Sequence, residues 1–211
     1  MLIVTDFEAT CLDRSTTGDM EYEVFLLQQE IIEIGCCIVD EVSLDIIHKL
    51  SIIIKPYFNK DLSDFCKNLT GITQSEVDNG LNFQDAMEVW IKWIGHLNKN
   101  RYALLSEDSV PLHVFCSWGA WDWKILGHNL QLHNLRDYRC ELFDDNWDIK
   151  RRTAAALDIK AKGLGKACRY LGIGFKGSPH SGLDDAINVA RVMQEIKKRG
   201  LDDFIVKKAE E

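Results

Sequence analysis

Asp6 and Glu8 stand two residues apart in Leu2-Ile-Val-Thr-Asp-Phe-Glu-Ala. In an extended strand residues i and i+2 point to one face, so this segment sets two carboxylates side by side among apolar neighbours. Burying two like charges without compensation is costly. A ragged strand end in water would tolerate them, yet the run is apolar enough for the centre of a sheet. There a hard divalent cation with oxygen ligands resolves the conflict. Asp122 follows in Phe115-Cys-Ser-Trp-Gly-Ala-Trp-Asp-Trp, past an apolar strand and at a helix start. Pro179-His-Ser-Gly-Leu-Asp-Asp-Ala then places His180 before a last helix and Asp185 in its first turns. Singly, Asp122 and Asp185 read as acids complementing helix dipoles and His180 as a loop histidine. Their joint occurrence in this order is what points to one cation site.

The elements that must position these groups follow from periodicity. Leu2 to Glu8, Glu30 to Val39 and Ile46 to Ile54 read as strands, with Asp40 to Asp45 as a hairpin connection. Three consecutive strands imply an antiparallel meander. Asn82 is a cap for a helix whose apolar face is Phe83, Met87, Trp90, Ile91, Ile94 and Leu97. On that helix Trp90 and Trp93 are assigned to packing. Leu112 to Trp118 reads as a buried strand, Trp121 to Leu130 as a helix, and Asn146 to Ile149 as a short strand. Gly163 to Leu171 is helical with Gly172 as its stop. The last helix starts near Ser181, buries Ala186, Val189, Ala190, Met193 and Ile196, and ends at Gly200. The order predicts an α/β fold, a mixed sheet of a three-stranded antiparallel meander plus parallel strands with helices on both faces. Functional groups then gather at strand ends.

At 211 residues, 46% hydrophobic and 27% charged, the chain fits a single globular domain over 1–211. No apolar run is long enough to cross a bilayer, and the N-terminus lacks the pattern of a secretory signal. Seven cysteines without regular spacing or a CxxC pair argue against a disulfide framework or structural zinc. We therefore expect a complete chain in the reducing cytoplasm. The net charge of −8 opposes a uniform phosphate-binding surface. The charge is uneven, however. Lys150 to Gly200 carries twelve basic and four acidic side chains, a net +8 that leaves −16 for the remainder. That segment reads either as solvated helix faces or as a basic guide beside an acidic cleft, with Lys160, Lys162 and Lys166 at a helix start.

Asp6-x-Glu8, Asp122 and His180-x-x-x-x-Asp185 resemble the signature of the DEDDh exonucleases, which have the RNase H-like fold. Asp6 to Cys11, Glu30-Ile-Ile-Glu-Ile-Gly35, Leu62-Ser-Asp-Phe-Cys-Lys-Asn-Leu-Thr-Gly-Ile-Thr73 and Pro179 to Asp185 resemble the Eri-type 3′–5′ exoribonucleases in particular. The resemblance runs from Val4 to about Val192. It implies a two-metal hydrolase releasing nucleoside 5′-monophosphates from single-stranded 3′ ends, RNA before DNA. Asp6, Glu8 and Asp185 would hold one Mg²⁺, and Asp6 would bridge to a second near Asp122, with Mn²⁺ as a substitute. Such ions, about 3.5–4 Å apart, clamp the attacking and leaving oxygens of an in-line displacement. His180 would be the general base, since an imidazole titrates near neutral pH. Phe65 and Trp121 are candidates for stacking on the terminal base, with core packing as the alternative for each. The backbone at Ala9, and at Thr70, Gly71 and Ile72, is expected against the terminal nucleotide. Two rivals are a non-catalytic adaptor on the same fold and an RNase H-type endonuclease, which would not need the His180 spacing.

Overall fold

The computed structural model describes residues 1–101, 113–137 and 139–201. A five-stranded sheet of order β3-β2-β1-β4-β5 forms the middle layer. It comprises β1 (Leu2–Ala9), β2 (Ile31–Val39), β3 (Ile46–Ile53), β4 (His113–Ser117) and β5 (Phe143–Asp148). β1, β2 and β3 pair antiparallel as the expected meander, whereas β4 runs parallel to both β1 and β5. The helices are α1 (Asp19–Leu27), α2 (Asp64–Thr70), α3 (Gln74–Asp78), α4 (Phe83–Arg101), α5 (Trp121–Leu132), α6 (Arg139–Leu142), α7 (Ile149–Ala156), α8 (Leu164–Leu171) and α9 (Gly182–Lys198).

Strand alternation sorts the core into two layers. Ile3 and Phe7 of β1 join Trp90, Met87 and Ile94 of α4 and Ile125 and Leu126 of α5 on one face. Leu2 and Val4 join Trp147 and Ile149, Cys168 and Leu171 of α8, and Ala186, Val189, Ala190 and Met193 of α9 on the other. Helices thus cover both faces, and the predicted apolar faces of α4 and α9 are buried. Trp93 packs at the edge of the first layer; the side chain of Leu97 lies outside the described residues. Asn82 does cap α4, its Oδ1 accepting the Asp85 N–H at 2.9 Å.

One boundary is corrected. The last strand begins earlier than expected, at Phe143, and Ile149 opens α7 instead of closing the strand. Asp148 accepts the Arg151 N–H at 2.9 Å, the N-cap bond that switches chain direction there. Helices α1, α2, α3, α6 and α7 were not anticipated. They are short, between 4 and 9 residues, so apolar periodicity is faint in them, and α2 and α3 rest on side-chain caps, the latter on the Thr73/Glu76 capping box. Leu112 lies outside the described residues. Among the described residues six cysteines are free thiols, and five of these are buried. Among the described residues no helix is long and apolar enough to cross a membrane.

Candidate active site

The cleft opens where the central strands part. β1 and β4 pair only from Leu2 and Val114 to Val4 and Cys116, and beyond Val4 β1 continues to Ala9 paired with β2 alone. The Phe7 N–H on that free edge is taken by Asp122, whose Oδ1 accepts it at 3.0 Å from the first turn of α5. One carboxylate therefore fixes helix to strand and faces the cleft at once.

The α9 side is set by two glycines. Gly35 stands opposite Asp6 in the β1–β2 ladder. A Cβ at Gly35 would lie 1.9 Å from the Gly182 carbonyl carbon, and one at Gly182 would lie 2.8 Å from the Asp6 carbonyl oxygen. Backbone thus touches backbone, and Asp185, three residues further, arrives beside Asp6 and Glu8. Glu33, directly opposite Glu8, reinforces the junction: its Oε2 accepts the Gly182 N–H at 2.9 Å and its Oε1 the Ser51 hydroxyl at 2.9 Å. The sequence reading did not single out Glu33, although a lone acid inside Ile-Ile-Glu-Ile-Gly-Cys-Cys-Ile-Val is the same signal that marked Asp6.

Before α9, Asn188 bonds both the N–H and the C=O of Lys176, and Asp184 accepts the Ser178 N–H at 2.8 Å. The two acids of Leu183-Asp-Asp-Ala186 therefore separate: Asp184 ties down the loop and Asp185 enters the cleft. His180 sits at φ +64°, in the left-handed region that His visits more readily than most side chains, and its N–H donates to Asp185 Oδ2 at 3.2 Å.

All five predicted groups, Asp6, Glu8, Asp122, His180 and Asp185, line one cleft of about 380 Å³. Glu8, His180 and Asp185 can each offer a ligand atom with all three within 4.8 Å of one another. Asp6 and Asp122 border the cleft outside that trio. Burial, then the charges of Asp122, Asp185, Glu8 and Glu33, hold the Asp6 carboxyl well above its ordinary value. Burial, then Asp185, Glu33 and Asp122, pushes Glu8 up to about 9. Burial raises Asp122 to about 7 and Asp185 to about 6, in each case against backbone N–H donors that pull the other way. Asp185 Oδ1 is buried with no hydrogen-bond partner. Crowded, desolvated carboxylates with an orphaned inward oxygen fit hard oxygen-liganded cations.

The expected substrate contacts divide. Trp121 and Ala9 line the cleft, and Trp121 is 45% exposed, which removes core packing as its explanation. Phe65 is 40% exposed but does not line the cleft; Leu69, four residues on along α2, does. Thr70, Gly71 and Ile72 do not line it either. Thr70 and Ile72 are buried, the latter with Leu62, Cys66 and Val77. The Gly71 N–H closes α2 on Lys67 and the Ile72 N–H donates to Thr70 Oγ1, so both donors are used internally. Trp118, Gln29 and Leu164 also line the cleft and were missed, because nothing in their spacing sets them apart.

This fold and this cleft define a DEDDh nuclease. The family model described as Exonuclease matches residues 3–193, and the chain belongs to that family. Within it the relatives are Eri-type. The chain is 31% identical over 208 residues to ERI1 exoribonuclease 2 of Homo sapiens, covering 94% of this chain and 28% of that protein. It is 28% identical to 3′-5′ exoribonuclease 1 of Rattus norvegicus, covering 95% and 54%. The nuclease domain of 3′hExo, a DEDDh family member solved bound to rAMP, superposes with a TM-score of 0.78 at 27% identity, over 95% of this chain and 93% of that one. The chain spans between about a quarter and just over half the length of these curated relatives.

Proposed function

We propose that residues 1–211 form a single exonuclease domain that removes nucleoside 5′-monophosphates from the 3′ end of single-stranded RNA. The observation that carries this reading is the convergence of four carboxylates and His180 on one cleft, with Asp185 Oδ1 buried and unpartnered. Asp6, Glu8, Asp122 and Asp185 would hold two Mg²⁺ ions, or Mn²⁺ in their place. When bound, the ions supply charge neutralisation of the phosphoryl oxygens and polarisation of the attacking water. His180 stands at the exposed mouth beside Glu8 and Asp185 and takes the proton from that water. Glu8 and Asp185 are the members of the trio that an oxygen-preferring cation would take as ligands, which would leave the imidazole for this role. Asp122 and Glu33 pin α5 and α9 to the sheet, so the acids approach one another without backbone movement.

Trp121 offers a half-exposed indole for the terminal base, and Phe65 lies on the same face of α2 as the cleft-lining Leu69. The backbone at Ala9 meets the terminal sugar, while Thr70, Gly71 and Ile72 shape α2 behind it. A base must leave its duplex partner to stack there, which favours single strands. The solved 3′hExo nuclease domain bound to rAMP supports an adenylate-sized occupant. The free thiols support a reducing, cytoplasmic setting.

Incubation with 5′-end-labelled RNA and Mg²⁺ tests the proposal, with matched duplex RNA and single-stranded DNA in parallel. A ladder shortening from the 3′ end of single-stranded RNA is expected. Internal cuts would indicate an endonuclease, absence of cleavage an adaptor, and equal cleavage of a blunt duplex would remove the single-strand preference.

A further inference from the structure

Two of the motif segments read from the sequence carry a cysteine that the hydrolysis does not use. Cys11 closes the segment that starts at Asp6, and Cys66 stands in the segment from Leu62 to Thr73. The fold brings the two together. Ser63 bridges their backbones: its hydroxyl donates to the Cys11 carbonyl at 2.6 Å and accepts the Cys66 N–H at 2.9 Å. The Cys66 thiol donates to the Ala9 carbonyl at 3.7 Å, so its sulfur lies against the strand end that leads to Cys11. Cys11, half-buried, packs against the cluster that holds Cys66, Leu62 and Ile72. Both cysteines line a side cavity of about 260 Å³. Cys11 also lines the catalytic cleft, together with Ala9 and Leu69. The Cys11 thiol, against burial and aided by the Cys11 N–H, holds the Cys66 thiol down to about 7. The other described thiols differ. Cys36, Cys37, Cys116 and Cys168 are wholly buried and line neither cavity, and burial pushes each of them up.

A thiol with a second thiol at its side, on the wall of a cavity that admits water-sized solutes, is placed for oxidation to a disulfide. We propose that Cys11 and Cys66 form a reversible disulfide when a hydroperoxide enters the side cavity, and that this bond shuts down the neighbouring active site. The Cys66 thiolate attacks one peroxide oxygen and the O–O bond breaks. Cys66 becomes a sulfenic acid, and the departing hydroxide takes up the proton that Cys66 gave away. The Cys11 sulfur then attacks the Cys66 sulfur: the S–S bond forms, the S–O bond breaks, and the Cys11 proton leaves with the hydroxyl as water. Two thiols lose two electrons and two protons, and one hydrogen peroxide becomes two waters. A disulfide draws its sulfurs closer than two thiols can pack. The bond therefore pulls α2 against the end of β1, and the cleft-lining Leu69, Ala9 and Cys11 move with it. Glu8 adjoins Ala9, and a displacement of about 1 Å in a catalytic constellation costs up to about 10²-fold in rate. The effect on catalysis rests on the exonuclease reading; the bond itself does not. In a reducing setting such a bond is transient, which suits a switch.

The test treats the full chain in Mg²⁺ with hydrogen peroxide, removes the excess with catalase, caps free thiols with N-ethylmaleimide and maps the peptides by mass spectrometry. The Cys11 and Cys66 peptides should be found joined, and dithiothreitol should part them. Hydrolysis of a single-stranded RNA, measured on the same samples, should fall at least about tenfold on oxidation and return on reduction. Cys66→Ala should keep most of the untreated activity, yield no joined peptide and resist peroxide. Cys11→Ala, whose side chain faces the cleft, is compared only with its own untreated rate and should resist peroxide equally. Melting temperatures of both variants separate damage by the substitution from loss of the switch. Should either variant fail to fold, the wild-type map and the other variant still decide. Inactivation without the joined peptides overturns the proposal, as do a joined pair with unchanged hydrolysis and variants inactivated as fully as wild type. A joined pair in a protein that hydrolyses no RNA in either state would instead leave the disulfide standing and overturn the exonuclease reading.

Discussion

Glu30 and Glu8 are both buried carboxylates, 1% and 8% exposed, and the protein treats them in opposite ways. Glu30 accepts the N–H groups of Tyr57, Phe58 and Asn59 at 2.6, 2.8 and 2.9 Å, with His133 Nε2 3.5 Å away. Burial pushes its pKa up, but His133 and those three donors hold it below the ordinary value. Glu8 has no hydrogen-bond donor among the described residues, and burial with three neighbouring acids takes it to about 9. Glu30 is a charge the fold has already satisfied; it ties the 57–59 loop to the head of β2. Glu8 and Asp6, together with the Oδ1 of Asp185, are groups the fold has left for something else to satisfy. Burial alone does not distinguish structural from functional acids; the supply of donors does.

The sharpest way to break the contrast is Asp6→Asn, which should abolish hydrolysis in saturating Mg²⁺ while raising the metal-free melting temperature, because one of the repelling charges is gone. Near-wild-type turnover would remove Asp6 from the site. His180→Ala should lower kcat by about 10²–10⁴-fold with Mg²⁺ affinity retained. If calorimetry shows that Mg²⁺ binding is lost instead, the imidazole is a ligand, as its place beside Glu8 and Asp185 permits.

Glu30→Ala should act on stability alone. Three backbone donors lose their acceptor, for a cost of roughly 3–5 kcal/mol. The melting temperature should drop by about 10 °C at about 2–4 °C per kcal/mol, with turnover per folded molecule near wild type at low temperature. A selective loss of kcat with stability intact would make Glu30 part of the active site after all.

The smallest effect is in pH. Glu8, Asp122 and Asp185 have folded pKa values above their ordinary ones, about 9, 7 and 6. Their contribution is therefore fully present below the ordinary carboxylate range and is lost as pH rises through 6 to 9. Glu30, held low, has the opposite sign: its contribution is present above the ordinary range and is lost in acid. Metal-free protein should melt several degrees lower at pH 8.5 than at pH 5.5, by about 2–4 °C per kcal/mol, and Mg²⁺ should erase the difference. A metal-free melting temperature that climbs over this interval contradicts the assignment of the cleft acids.

Much of this was legible in the residues. Apolar, β-branched runs marked β1 to β3 and period-3.6 patterns marked α4, α5, α8 and α9, because composition records burial. Asp6 and Glu8 stood out as acids in an apolar strand, whereas Asp122, His180 and Asp185 were legible only jointly, by their order along the chain. The sequence thus determined the layers, the family pattern and the identity of the acids. Only the tertiary structure decided how they meet. The parting of β1 from β4 after Val4 exposes the edge that Asp122 occupies. The bare contact of Gly35 with Gly182 lets α9 deliver Asp185, and Glu33 seals that contact from across the ladder. Each of these depends on contacts between residues tens of positions apart, and local pattern carries no record of which distant backbone will come close enough to exclude a side chain.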